Sequence, residues 1–300
     1  MPDTFAHLGV QALVSRSLCK DADIKWIAAG CIIPDIPWIA QRGILALHLP
    51  VDVYSLRFYA IVQASPFCCL LLSGALALLA QNSRGIFLLL ALNCFLHLFL
   101  DALQIKWANG VHFFAPLSWR STSFGLFWPE DPASLLLTLA GVLALVSFGA
   151  RDWNRQIVLA APSRKHAAAL LLLAAYLALP PVFTSGPRQE DNHFAATLQV
   201  VAQRPGRAIE LDRLAFRGQD STILLPSGER LKLTGQLPAA DNTISVQGRF
   251  TDTGTIHVSA LHVHSPLRDR SSTLALAGIL FLWLVAIVKK RCTVCRYPSP

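Results

Sequence analysis

A histidine and an aspartate four residues apart, His97-x-x-x-Asp101, sit at the end of an apolar stretch. On a helix that spacing puts both side chains on one face, within reach of one metal ion. Imidazole with carboxylate is a borderline ligand set that suits zinc, or manganese and iron where more oxygens join. The plainer reading is a buried His–Asp hydrogen bond that staples helices together. Ionisable groups at membrane depth point to function by default. Asp35 lies in Pro34-Asp35-Ile36-Pro37, where a broken helix can aim a carboxylate at a cavity. His7 opens the first helical stretch. Each also has a plain alternative, His7 as a surface polar residue and Asp35 as a helix cap or turn former. Together His7, Asp35, His97 and Asp101, from three segments, make a site with an open water position, as hydrolytic metals need. Asp35, His97 and Asp101 are the candidate catalytic residues, and His112 is a further candidate ligand.

The elements that position these residues follow from composition. Of 300 residues 53% are hydrophobic and 15% charged, with mean hydropathy +0.47, too apolar for one soluble core. Five stretches are long enough to span a bilayer: 58–80, 85–103, 134–150, 167–183 and 271–288. The first 57 residues lack a basic region followed by an apolar one, so no cleavable signal peptide is expected. The net charge of +8 sits in three short segments: Arg84, residues 151–166 and the tail from Lys289. The positive-inside rule makes those cytoplasmic and puts 1–57, 104–133 and 184–270 on the other side, the periplasm of a Gram-negative cell. The basic charge is therefore a topology signal, and no nucleic-acid partner is expected. Residues 5–19 read as an amphipathic helix. Residues 24–47, interrupted by Pro34 and Pro37, read as a half-embedded or re-entrant element, with a sixth full span as the alternative.

Between the fourth and fifth spans the pattern changes to short alternating runs at 195–203, 207–216, 221–225, 229–234, 243–250 and 254–264, with turns between them. Five or six such strands suit a small OB-like barrel. With nine basic and eight acidic residues and three aromatics, the module 185–268 lacks the stacking face of a strand-binding barrel. His257, His262 and His264 invite a metal reading, against which stand solvent-facing strand polars. The expected fold is thus an α-helical polytopic membrane protein of about five spans, with the N-terminal re-entrant or amphipathic element and an OB-like barrel inserted before the last span. Its divisions are a membrane-embedded region (1–150), a cytoplasmic loop with the fourth span (151–184), the β module (185–268), and the last span with its basic tail (271–300).

The elements His7-x-Gly9, Gly30-Cys-Ile-Ile-Pro34-Asp35, His97-x-x-x-Asp101 and Gly110-Val-His-Phe-Phe-Ala-Pro116 resemble those of the inner-membrane-associated metal-dependent hydrolase family. The resemblance covers roughly residues 1–150. It implies a multi-pass inner-membrane protein with a metal site at His7, Asp35, His97 and Asp101. The chain departs from the family pattern in having Pro37 where many members carry a second acid, and in lacking a central His-Arg-Gly…Thr-His-Ser element; His112 and Asp52 are the residues that would complete the shell. The expected activity is metal-dependent hydrolysis at the outer membrane surface, with zinc as the leading metal. A lipid or lipid-linked ester or phosphoester suits the location, with Lys106, Trp107 and Arg120 as substrate contacts. Aromatics of the loop 104–133 fit an interfacial belt or a groove for an acyl chain. The alternative is a non-enzymatic assembly protein whose module 185–268 binds a periplasmic partner. Cys292-x-x-Cys295 reads as two incidental juxtamembrane cysteines, or half a zinc or redox pair.

Overall fold

The computed structural model describes residues 4–161, 163–190 and 194–296, with side chains described to Val288. The Cys292–Cys295 pair therefore lies outside the described side chains. Helices fill the first part: α1 (Thr4–Leu18), α2 (Ile24–Ile32), a 3-10 turn (Ile33–Asp35), α3 (Ile36–Ala46), α4 (Val53–Gln63), α5 (Pro66–Leu78), α6 (Ser83–Leu103), α7 (Pro132–Asp152), α8 (Arg164–Ala178), α9 (Pro180–Phe183) and α10 (Ser185–Glu190). A short α11 (Ala195–Gln199) precedes strands β1 (Ala208–Arg217), β2 (Thr222–Leu224), β3 (Arg230–Thr234), β4 (Asn242–Phe250) and β5 (Thr255–His264), and α12 (Leu267–Arg296) closes the chain.

Among the described residues α6, α7 and the 267–288 part of α12 are long and apolar enough to cross a membrane. The other two expected spans are bent. α4 and α5 meet at 65°, because Pro66 lacks an N–H and drives Ser65 into an extended conformation, where its hydroxyl caps α5. α8 and the segment Pro180–Glu190 are bent by 41° at a pair of prolines. Counting each bent pair as one span gives five.

The N-terminal element differs from a surface amphipathic helix. α1 is packed inside the bundle, with Gln11 and Ser15 buried and Leu13 and Leu18 exposed. It forms a hairpin with α2 whose turn reaches the end of α7: Ile24 N donates to Asp152 Oδ2 (2.9 Å), Lys25 Nζ donates to the Asp152 carbonyl (3.0 Å), and Arg16 pairs with the Asp152 carboxylate. Arg155 Nη1 donates to the Asp21 carbonyl (2.7 Å). At the opposite end Thr4 N donates to Ser272 Oγ. Residues 1–57 therefore do not all lie at one end. The turn carries Arg16, Lys20 and Lys25, against Asp21 and Asp23, to the end already marked as basic. The 24–47 stretch is interrupted by the 3-10 turn containing Pro34 and Asp35.

The barrel is closed in the order β1-β2-β3-β5-β4, with β3 and β5 parallel and the other pairs antiparallel. This fits the OB-like expectation. Alternate residues point inward, so Ile209, Leu211, Phe216, Ile223, Leu231, Ile244, Val246 and Ile256 fill the interior. The run at 195–203 is not a strand. Phe194, Ala195, Thr197 and Leu198 are the buried residues, a helical spacing that packs α11 and its N-terminal flank against the barrel. β1 is bulged between Leu211 and Leu214, and Arg213 at the bulge adopts φ 54°. A bulge re-aims side chains, and this one turns Arg213 toward Asp269 and Glu130.

Candidate metal centre

Close helix approach builds the site. α1 crosses α7 where glycine meets glycine: a Cβ on Gly9 would stand 2.6 Å from Gly141 Cα, and a Cβ on Gly141 would run into the Phe5 carbonyl. α2 approaches α6 at Gly30, where a Cβ would stand 2.7 Å from Asn93 Cβ. Asn93 Nδ2 in turn donates to Ser15 Oγ (3.0 Å), tying α1 to α6. The glycines of the His7-x-Gly9 and Gly30…Asp35 elements thus serve packing, and they bring α1, the 3-10 turn and α6 to one point.

At that point stand His7, Asp35, His97 and Asp101. Both histidines are fully buried, and both carboxylates are 8% exposed. The two imidazoles stack with centroids 3.9 Å apart and planes 6° from parallel. His7 Nε2 is 3.4 Å from Asp101 Oδ1, His97 Nε2 is 3.5 Å from Asp35 Oδ1, and His97 Nε2 is 3.8 Å from Asp101 Oδ2. None of these contacts has hydrogen-bond geometry: all four imidazole nitrogens and Asp35 Oδ1 are buried without a hydrogen-bond partner. The stapling His–Asp hydrogen bond is therefore not what forms here. Buried polar groups left unpaired are costly. Nitrogen and oxygen ligands about 2.0–2.2 Å from a tetrahedral zinc stand roughly 3.3–3.5 Å from one another, which is close to the separations observed. His7, His97 and Asp101 are close enough to hold a divalent ion, with Asp35 Oδ1 3.5 Å from His97 Nε2 beside them and Lys106 Nζ 2.8 Å from Asp101 Oδ1 as the nearest fixed positive charge.

The remaining candidates are distributed differently. His112 sits in the loop with Nδ1 2.6 Å from the Trp119 carbonyl, apart from the four. Asp52 caps α4 at Ser55 N. Trp107 packs edge-on against Trp128 (5.0 Å), and Arg120 is exposed. Neither lines the cavity of about 480 Å³ that opens over Asp101, whereas Lys106 and His112 do. That cavity lies between the helices and the barrel, bounded by Pro34, Trp38 and Arg57 on one side and by Glu210, Asp212 and Arg213 on the other. Sequence reasoning missed the barrel wall, because nothing local ties residues 210–213 to residue 101. It also missed Gln11, buried like Gln104 with both amide atoms unpartnered.

The barrel is fastened to the loop 104–133. Glu210 Oε2 accepts from Ala108 N (2.7 Å), and Asp212 Oδ2 accepts from Asn109 Nδ2 (3.1 Å). Glu130 stands between His262 (Nε2, 3.1 Å) and His264 (Nδ1, 3.0 Å), and Trp128 stacks flat on His262 at 3.8 Å. These histidines are not solvent-facing polars, since His264 is 5% exposed. Glu130, His262 and His264 are also close enough to share an ion. In contrast to the first group, their atoms are engaged: His264 Nε2 meets Ser245 Oγ (2.7 Å), and Arg213 Nη1 lies 3.5 Å from Glu130 Oε1. This is a hydrogen-bonded latch with its own cation.

Burial works to raise the Glu130 carboxyl, but hydrogen bonds from His264 and His262 outweigh it and hold the group at about 2, below its ordinary 4.5. A depressed carboxylate contributes stability in full above its unfolded value and loses it as pH falls toward the folded one. The latch is expected to persist at pH 5 and to fail between about 4.5 and 2. Hydrogen exchange over 104–133 measures this: protection should fall in that window in the wild type, and Glu130→Gln should show reduced protection already at pH 7 with that step missing.

Comparison of the chain with protein-family models, curated proteins and solved structures gives no match.

Proposed function

We propose that the chain is a membrane-embedded, metal-dependent hydrolase whose site opens at the outer membrane surface. The observation that carries this reading is the set of unpartnered buried ligand atoms on His7, Asp35 and His97, gathered behind Asp101, which lines a cavity. The family resemblance of residues 1–150 points the same way. His7 and His97 offer imidazole nitrogens, and Asp35 and Asp101 supply the negative charge that a divalent ion requires. Bound there, zinc would lower the pKa of a water toward neutrality and polarise a phosphoryl or acyl oxygen. Asp101 faces the cavity and is the residue best placed to take a proton from an attacking water. Lys106 orients Asp101 and meets negative charge that develops on a substrate oxygen.

The basic end of the bundle, with Arg84, Arg151, Arg155 and the α1–α2 turn, is taken as cytoplasmic. The metal site, the loop 104–133 and the barrel then face outward, in the periplasm if the membrane is a bacterial inner membrane. Exposed Phe95, Phe99, Phe114 and Phe124 around the outer half of α6 suit an interfacial belt. A lipid or lipid-linked ester or phosphoester fits a site at that level. The latch turns the barrel onto its own helices, which favours a wall or lid for the cavity over an adaptor module free to bind a periplasmic protein.

The test is hydrolysis by the detergent-purified chain of two chromogenic probes, a nitrophenyl phosphodiester and a short-chain nitrophenyl ester, before and after zinc loading. Turnover of either probe that depends on metal and is abolished in Asp101→Asn supports the proposal. Turnover retained in both His97→Ala and Asp101→Asn sinks it.

A further inference from the structure

Arg268 is the least compensated charge in the outward half of the molecule. Its side chain is 7% exposed, and its Nε and Nη1 are buried without a hydrogen-bond partner. The nearest carboxylate, Asp269, is 3.8 Å from Nη1 and is already held by Arg213 Nη2 at 2.8 Å. Asp212, also nearby, accepts from Asn109 and Ser245. Two further guanidiniums line the same cavity as Arg268, Arg213 of the barrel and exposed Arg42 on α3, and both add like charge to the surroundings of Arg268. That cavity reaches Asp101. A buried guanidinium with open donors beside a like charge is unfavourable unless an anion completes it.

Two of the cavity's carboxylates, Glu210 and Asp101, are engaged elsewhere and do not supply that anion. Glu210 is spent on Ala108 N and Gln247, and Asp101 on Lys106. Arg57 is turned to the Ala108 carbonyl and Asn109. Glu190 lines the same space as the remaining carboxylate. Gln41 contributes a buried Oε1 with no donor, an acceptor suited to a ligand hydroxyl. Trp38, Leu45, Ile61 and Leu98 give the cavity an apolar side.

We infer that the cavity binds the phosphate group of an anionic amphiphile through Arg268 and Arg42, with its acyl chains along the apolar side. Two guanidiniums match the charge of a phosphate monoester better than that of a single carboxylate, and guanidinium donors suit phosphate oxygens. The inference deepens the hydrolase reading by naming the substrate class. It rests on that reading only for the statement that the bound molecule is turned over; the binding itself needs no metal.

Calorimetric titration of the full chain in a neutral detergent tests it, with dihexanoyl phosphatidic acid, dihexanoyl phosphatidylcholine and glycerol 3-phosphate as probes. Phosphatidic acid is expected to bind, more weakly at high salt, and to lose roughly tenfold or more in affinity in Arg268→Gln. Arg42→Gln, at an exposed position, is expected to weaken binding in the same direction and guards against misfolding of the buried variant. Glycerol 3-phosphate binding as tightly as phosphatidic acid would keep the phosphate site and assign it to a soluble phosphate ester. Equal binding of phosphatidylcholine and phosphatidic acid, or unchanged affinity in both arginine variants, overturns the inference. The His97→Ala/Asp101→Ala variant should still bind phosphatidic acid, so failure of the metal reading and failure of this one are separable.

Discussion

Wild-type chain purified without chelators is expected to carry about one divalent metal ion, and the His97→Ala/Asp101→Ala variant none. The expectation rests on a contrast between two clusters of the same residue types. At Glu130, His262 and His264 the polar atoms are matched by Ser245, Arg213 and one another. At His7, Asp35 and His97, five ring nitrogen and carboxylate oxygen atoms are buried and unmatched. Leaving so many groups unsatisfied in a packed bundle costs about 1–3 kcal/mol each, whereas coordination would satisfy one nitrogen of each histidine and a carboxylate oxygen together. Removing two of four ligands should lower affinity by more than about 100-fold, since even the loss of an outer-shell partner costs about 10–100-fold. Two controls sharpen the measurement by mass spectrometry of metal content. His112→Ala should keep its metal, because His112 Nδ1 is engaged by the Trp119 carbonyl. Glu130→Gln should keep it too, because the latch is a separate cluster. Wild-type protein that stays metal-free after zinc loading would leave the adaptor reading as the stronger one.

What was legible in the sequence divides along local and non-local lines. The barrel strands follow from alternation and turn residues, both local, and the run from 207 to 264 matches β1–β5 within a residue or two. The run at 195–203 failed because Ala196, Leu198 and Val200 alternate with Thr197 and Gln199 in the sequence, whereas the residues buried against the barrel, Phe194, Ala195, Thr197 and Leu198, follow a helical stripe. His97 and Asp101 declare themselves by spacing on one helix. Their union with His7 and Asp35 is non-local, and depends on Gly9, Gly30 and Gly141, of which Gly141 lies in an apolar run with nothing to distinguish it. Charge counting assigned residues 1–57 to one side because it treats a segment as a unit, while the α1–α2 hairpin carries its turn to Asp152 at the far end of α7. The prolines at 66, 180 and 181 mark where two spans bend, but only packing fixes the angles.

That dependence on Gly141 leads to a large expected effect from a small substitution. Gly141→Ala adds one methyl group, and that methyl meets the Phe5 carbonyl and Cα, backbone atoms with no rotamer through which to yield. α1 must therefore move off α7, and His7, two residues from Phe5 on the same helix, moves with it. Overpacking of a tight site costs about 1–3 kcal/mol, and the upper part of that range applies where backbone meets backbone. The chemical effect should exceed the thermal one: a shift of about 1 Å in a catalytic group can cost roughly 100-fold in rate, and His7 Nε2 already stands 3.4 Å from Asp101. Gly141→Ala is thus expected to lose metal and probe turnover together while still inserting. Gly43→Ala supplies the reference, since its Cβ would meet nothing within 4 Å on the exposed side of α3; there the helix propensity of alanine should raise stability by about 0.5–1 kcal/mol and leave metal content unchanged. Thermal unfolding in detergent and metal analysis of the two variants decide the matter. Equal metal content in Gly141→Ala and Gly43→Ala would mean that α1 does not supply a ligand, and that the centre is built from α6 and the 3-10 turn alone.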